Sequence, residues 1–213
     1  MVHQILWSAQ TDTGLEHCYL RHSATEIMAD GLVIGVEEGV AFRIRYQVCC
    51  DLGWQVRKVV VTSLNEAEQT SHLVADGLGN WITAAGQPVA ELTGCLDVDI
   101  AVTPFTNTLP IRRLNLSAGE SAVINVVYVA VPALQVRVAP QRYTFLHVHL
   151  LEEVHMYRSN GYLLVLLVSI GGATSQPTYN LYNYRREDAR WLTRLHRRSM
   201  AQSNIALKAP DLL

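Results

Sequence analysis

Apolar and polar positions alternate with a period of two along most of this chain. Residues 42–50 place Phe42, Ile44, Tyr46 and Val48 on one side and Arg43, Arg45 and Gln47 on the other. That is the pattern of a strand with one wet face. Residues 54–63 repeat it with Val56, Val59 and Val61, and Asp51-Leu52-Gly53 joins the two runs as a hairpin. Upstream, strands are predicted at 3–8, 15–21 and 32–36, with turns at 11–14 and at Asp30-Gly31. Residues 71–75 and 80–83 form a second hairpin around Asp76-Gly77-Leu78-Gly79, whose glycines supply positive φ. Gly86-Gln87-Pro88 is a further turn.

Residues 92–114 break the alternation. They carry two acids two apart (Asp97, Asp99), two prolines (Pro104, Pro110), the run Thr106-Asn107-Thr108 and the pair Arg112-Arg113. Proline disfavours helix in the residue before it and donates nothing to a ladder. The stretch therefore reads as neither a regular helix nor a long strand. It reads as a shaped segment, its polar groups held by Ile100, Val102, Phe105, Leu109 and Ile111. Beyond it, Ser117 to Glu120 has the Ser-x-x-Glu spacing of a helix start. The β-branched run 123–131 is a strand that Pro132 ends. Strands follow at 135–138, 141–151, 154–158, 162–170 and 177–184, with Asn160-Gly161 the strongest hairpin signal and Gly171-Gly172 another reversal.

The composition shifts after Tyr184. Residues 185–200 interleave Trp191, Leu192 and Leu195 with Arg186, Arg190, Arg194, Arg197 and Arg198, an amphipathic basic helix. Residues 201–213 read as a loose tail. The expected division is one β domain over 1–184 and a basic C-terminal helix and tail over 185–213. The helix is a possible contact between copies of the chain.

With 213 residues, 49% hydrophobic and 17% charged, the chain has enough apolar material for one sizeable β domain. A net charge of −2 gives no general attraction to nucleic acid. No run of about 18 apolar residues predicts a transmembrane helix. The polar residues of MVHQILWSAQ argue against a signal peptide, so a cytoplasmic location is expected. Cys18, Cys49, Cys50 and Cys95 follow no zinc or redox spacing and read as free, buried thiols.

Several groups are candidates for chemistry. If extended, Asp97 and Asp99 share a face roughly 6.5–7 Å apart, within the range of about 5–9 Å used by glycosidase carboxylates. A strand with a wet side gives the same spacing, and pairing with Arg112 or Arg113 is the plainer reading. Glu16-His17 juxtaposes an acid and an imidazole on opposite faces of a strand. Trp7, Trp54 and Trp81 suit either a core or the wall of a cavity. His147, His149 and His155, with Glu153, share parity if one strand runs through them, a weak zinc pattern. No nucleophile elbow, phosphate loop or dinucleotide fingerprint is present.

The segments GLEHC (14–18), DGLGNW (76–81), LTGC, LDVD and TPFTNTLPIRRL within 92–114, and Gln141-Arg142-Tyr143 resemble the bacterial family called putative glycolipid-binding. The likeness runs over about residues 4–184. That resemblance implies an antiparallel curled sheet, a spiral β-roll or half-open barrel likened to the lipoprotein-localisation factors, and a glycolipid or lipid-like ligand. The fold class expected is therefore all-β with minor α. The expected function is binding an amphipathic molecule in an apolar hollow with a polar mouth. Its candidate ligand-binding residues are Glu16, His17, Trp54, Asp76, Trp81, Asp97, Asp99, Thr106, Asn107, Arg112, Arg113, Gln141 and Tyr143. No catalytic residue, metal or cofactor is assigned. The alternatives are a hydrolase using Asp97, Asp99 or His17, and a structural or oligomerising protein without a ligand.

Overall fold

The computed structural model describes residues 2–8, 13–65, 69–117, 119–149, 153–159, 162–169 and 178–184, with side chains as far as Phe145. Two curled sheets, not closed into a barrel, make up nearly all of it. The first is a seven-stranded antiparallel meander: β1 (Val2–Ser8), β2 (Gly14–His22), β3 (Ile27–Glu37), β4 (Val40–Cys50), β5 (Val56–Ser63), β6 (Thr70–Ala75) and β7 (Trp81–Thr83). The second holds β8 (Asp97–Ile100), β9 (Ser121–Val129), β10 (Val136–His149), β11 (Glu153–Ser159), β12 (Tyr162–Ser169) and β13 (Thr178–Tyr184). Their order is β13-β12-β11-β10-β9-β8, and β8 runs parallel to β9 while the other pairs are antiparallel.

The alternation that predicted β4 is the one observed: Phe42, Ile44, Tyr46 and Val48 are buried and Arg43 and Arg45 exposed. In β5, Val56 and Val59 are both buried although three residues apart. A bulge reconciles them, since Cys50 pairs with Val56 and Cys49 with Lys58. Arg57 is thus the extra residue that restores parity, and its guanidinium binds Asp51 at 2.7 Å.

Asp30-Gly31 is not a turn. It lies inside β3, paired with Gln47 and Tyr46. Asp30 points outward to the Arg45 guanidinium, at 2.9 and 2.7 Å. Gly31 lies beneath the Tyr46 ring, where an added Cβ would be 2.2 Å from a ring carbon. The turn residues here are an ion pair and a steric necessity. The two strands predicted at 135–138 and 141–151 are one, β10. Pro140 is tolerated within it because β11 pairs with β10 only from Thr144 onward.

The segment read as irregular does contain a helix, α1 (Thr108–Leu114), after a 3-10 turn at Phe105–Asn107. Pro110 is its third residue, where the missing N–H would have had no intrahelical partner. Asn115 closes it at φ 45°. Ser117 and Glu120 instead form a turn: the Glu120 carboxylate accepts the Ser117 N–H at 2.7 Å, as in a capping box, and β9 follows directly. The 76–81 motif docks on the central segment. Gly94 donates its N–H to the Gly79 carbonyl at 2.8 Å, and a Cβ on Gly79 would approach the Gly94 backbone to 3.0 Å.

The main core joins both sheets. Ile44, Tyr46, Val48, Val59 and Val61 of the meander pack with Val98, Ile100, Val127 and Val129 of the second sheet and with Phe105 and Leu109 of the central segment. A smaller cluster holds Ile111, Tyr143 and Phe145. The four cysteines are free and buried. Among the described residues no helix is long and apolar enough to cross a membrane. The predicted helix at 185–200, the tail and both glycine-containing turns at 160–161 and 171–172 lie outside the described residues.

Candidate functional site

The polar residues of the central segment are fixed by one another. β8 turns Val98 and Ile100 into the main core, so Asp97 and Asp99 point the other way. Arg113, from the last turn of α1, holds one oxygen of Asp97 with Nε at 3.0 Å and a terminal nitrogen at 2.6 Å. Asp99 accepts from the Gln141 amide at 2.5 Å and from the Thr106 hydroxyl at 3.2 Å. Burial raises its carboxyl above the usual range, against the pull of those two hydrogen bonds. Thr106 also accepts the Ile100 N–H at 3.2 Å. The Tyr143 hydroxyl lies 2.9 Å from both Asn107 Oδ1 and Gln141 Oε1, and donates its one proton to either. Seven predicted residues, Asp97, Asp99, Thr106, Asn107, Arg113, Gln141 and Tyr143, thus form the frame that seats α1 on the second sheet.

α1 in turn presents Arg112, whose guanidinium lies 4.1 Å from the centre of the Trp54 ring. Trp54 is held at φ 64° by the turn that opens β5. His22 meets the same ring edge-on at 5.6 Å, and His3 lies 6.2 Å from His22. Burial, followed by the charges of His3 and Arg112, lowers the His22 pKa. His3 and His22 are on the inner-facing parity of β1 and β2, with Ile5, Trp7, Glu16, Cys18 and Leu20. At the other end of that strip, Glu16 is only 3% exposed. It lies in the interior rather than at a rim. The Tyr46 hydroxyl donates to its Oε1 at 2.5 Å and the Thr103 hydroxyl at 2.9 Å. Burial pushes its pKa up to about 8 against both hydrogen bonds, and it also lifts the Cys18 thiol to about 12.

The remaining predicted residues go elsewhere. His17 faces outward from the meander, its ring 4.6 Å from that of Tyr19. Trp81 is a core residue whose indole N–H donates to the Cys95 carbonyl at 2.8 Å. Asp76 is exposed and ties its own loop, accepting from Leu78 N, Asn80 N and the Asn80 amide. His149 and His155 sit on different strands, β10 and β11, so no single strand carries the histidine set; their side chains, with those of His147 and Glu153, lie outside the described ones. Tyr46 and Thr103 were not anticipated. A tyrosine on an inward position of an aliphatic strand face was the available signal, because its hydroxyl requires a partner.

Residues 4–175 match the family model described as "putative glycolipid-binding". The chain belongs to this family. Among solved structures, a crystal structure of a DUF1089 family protein from Pseudomonas aeruginosa is similar, with 29% identity and a TM-score of 0.60 over 80% of this chain and 95% of that one. No curated protein is similar to it at a significant level. Family membership thus covers the meander, the central segment and most of the second sheet. The frame around α1 and the strip on β1–β2 from Ile5 onward fall inside it.

Proposed function

We propose that this member of the putative glycolipid-binding family binds an amphipathic, lipid-like molecule along the inner face of the β1–β2 edge. The observation that carries this is the character of that strip. Its inner positions on β1 include His3 and Ile5, which stay partly exposed where the corresponding positions of β4 are buried. Between its ends Ile5 is partly exposed, an apolar position suited to an alkyl chain, with each buried methylene contributing about 0.8 kcal/mol. One end carries the cationic and aromatic group His22, Trp54 and Arg112, suited to a polar or anionic headgroup. The other end carries Glu16. On this reading the frame of Asp97, Asp99, Thr106, Asn107, Arg113, Gln141 and Tyr143 places Arg112 and does not touch the ligand. Four reduced thiols support a cytoplasmic site of action.

Native mass spectrometry of the protein purified from its own host tests the reading. A co-purifying amphiphile is expected, lost or diminished in Trp54→Ala and Arg112→Ala. Ligand-free protein that also fails to bind n-octyl glucoside or dodecanoate overturns it.

A further inference from the structure

Three buried side-chain atoms lack a hydrogen-bond partner among the described residues: Trp7 Nε1, Glu16 Oε2 and His72 Nε2. The first two belong to residues directly opposed across β1 and β2. Direct partners in an antiparallel pair project their side chains to the same face, about 4.5–5.5 Å apart at Cβ. Trp7 is 9% exposed and Glu16 3%. An indole N–H and a carboxyl oxygen are thus both removed from water, side by side, without bonding each other. Leaving such groups unsatisfied opposes folding, and nothing in the packing of β1 requires it, since a phenylalanine ring would fill a similar place without the donor.

We propose that Trp7 and Glu16 form a two-point site for an uncharged oxygen of the bound molecule. The chemistry follows from the donors. Indole Nε1 only donates. Glu16 Oε1 already accepts the Tyr46 and Thr103 hydroxyls, so a proton on this carboxyl resides on Oε2, which then donates as well. Two donors carried by residues opposed across one strand pair suit the two lone pairs of a carbonyl or hydroxyl oxygen. An ammonium group cannot accept from the indole. A carboxylate or phosphate would bring a full charge out of water to a residue only 3% exposed, which costs far more than burying a neutral oxygen. The raised pKa of about 8 keeps the acid in its donating form at neutral pH.

The shared chemistry has two sources, an ester carbonyl of an acyl lipid and a hydroxyl of a sugar headgroup. This inference rests on the lipid-binding reading above. Methyl dodecanoate carries the carbonyl alone and n-octyl glucoside offers sugar hydroxyls and no carbonyl, so titrating both by calorimetry separates the sources. Trp7→Phe, confirmed folded by its thermal midpoint, is expected to weaken the preferred probe about tenfold, the loss of one hydrogen bond. Glu16→Gln retains a donor and should bind near the wild-type level at pH 6. Raising the pH from 6 to 9.5 should weaken methyl dodecanoate about tenfold in the wild type and leave it unchanged in Glu16→Gln. For n-octyl glucoside the wild-type affinity should hold, because a hydroxyl can reverse and donate to the carboxylate. Probes that bind the wild type and Trp7→Phe equally overturn the two-point site and leave the lipid-binding reading standing. Absence of binding by any probe, with no amphiphile in the native spectrum, removes both.

Discussion

Two regions of this protein bury carboxylates, and they treat them differently. In the central segment Asp97 has a guanidinium and Asp99 an amide and a hydroxyl, so each acid is tied into the architecture. On β2, Glu16 has two hydroxyls on one oxygen and no partner among the described residues on the other. An acid with its lone pairs occupied by neighbours is explained by the fold. An acid left half-satisfied beside an unsatisfied indole is not, and that contrast moves the functional emphasis from the conspicuous motif at 92–114 to the β1–β2 pair.

The largest expected effect on this comparison is in the pH dependence of stability. Glu16 is shifted from 4.5 to about 8. Between those values the folded protein keeps a proton that the unfolded chain has released. Stability should therefore fall as pH rises through that window, by about 1.4 kcal/mol per unit from this group, and level off above it. Glu16→Gln should remove that slope. Urea midpoints of both proteins from pH 5 to 9 measure it, and parallel curves would place Glu16 in the same class as the satisfied acids. Next in size is Arg113→Met, which strands Asp97 and should cost on the order of 2–4 kcal/mol. Adding Asp97→Leu should return most of the loss, measured as a double-mutant cycle.

Gln141→Leu removes one donor from Asp99 and one acceptor from Tyr143, and about 1–2 kcal/mol is expected. If Asp99 is a structural acid, lipid binding should decline no more than stability does. The smallest effect on stability belongs to Arg112→Gln, an exposed cation over Trp54, at about 0.5–1 kcal/mol. Its effect on headgroup binding should be the larger one, and equal insensitivity of both would detach α1 from the ligand strip.

The strands were legible because alternation is a local signal, clear in Phe42, Ile44, Tyr46 and Val48. The bulge at Arg57 could be inferred only from two buried valines of the wrong parity. The helix at Thr108–Leu114 was hidden by Pro110, which marks a break in general but is harmless in a first turn. The choice of Arg113 for Asp97, and of Gln141 for Asp99, was not legible, because both arginines neighbour the acids in sequence and Gln141 is 42 residues from its partner. Glu16 and Thr103 are 87 residues apart. Contacts of that range are decided by how the sheets pack, which no local pattern encodes.

Gly31 has a consequence for genetics. It owns no functional atom, yet any replacement drives into the Tyr46 ring and so dislodges the hydroxyl that orients Glu16. A saturation screen scored on ligand retention would rank this bare position among the least tolerant in the protein. An investigator hunting for reactive groups would pass over it.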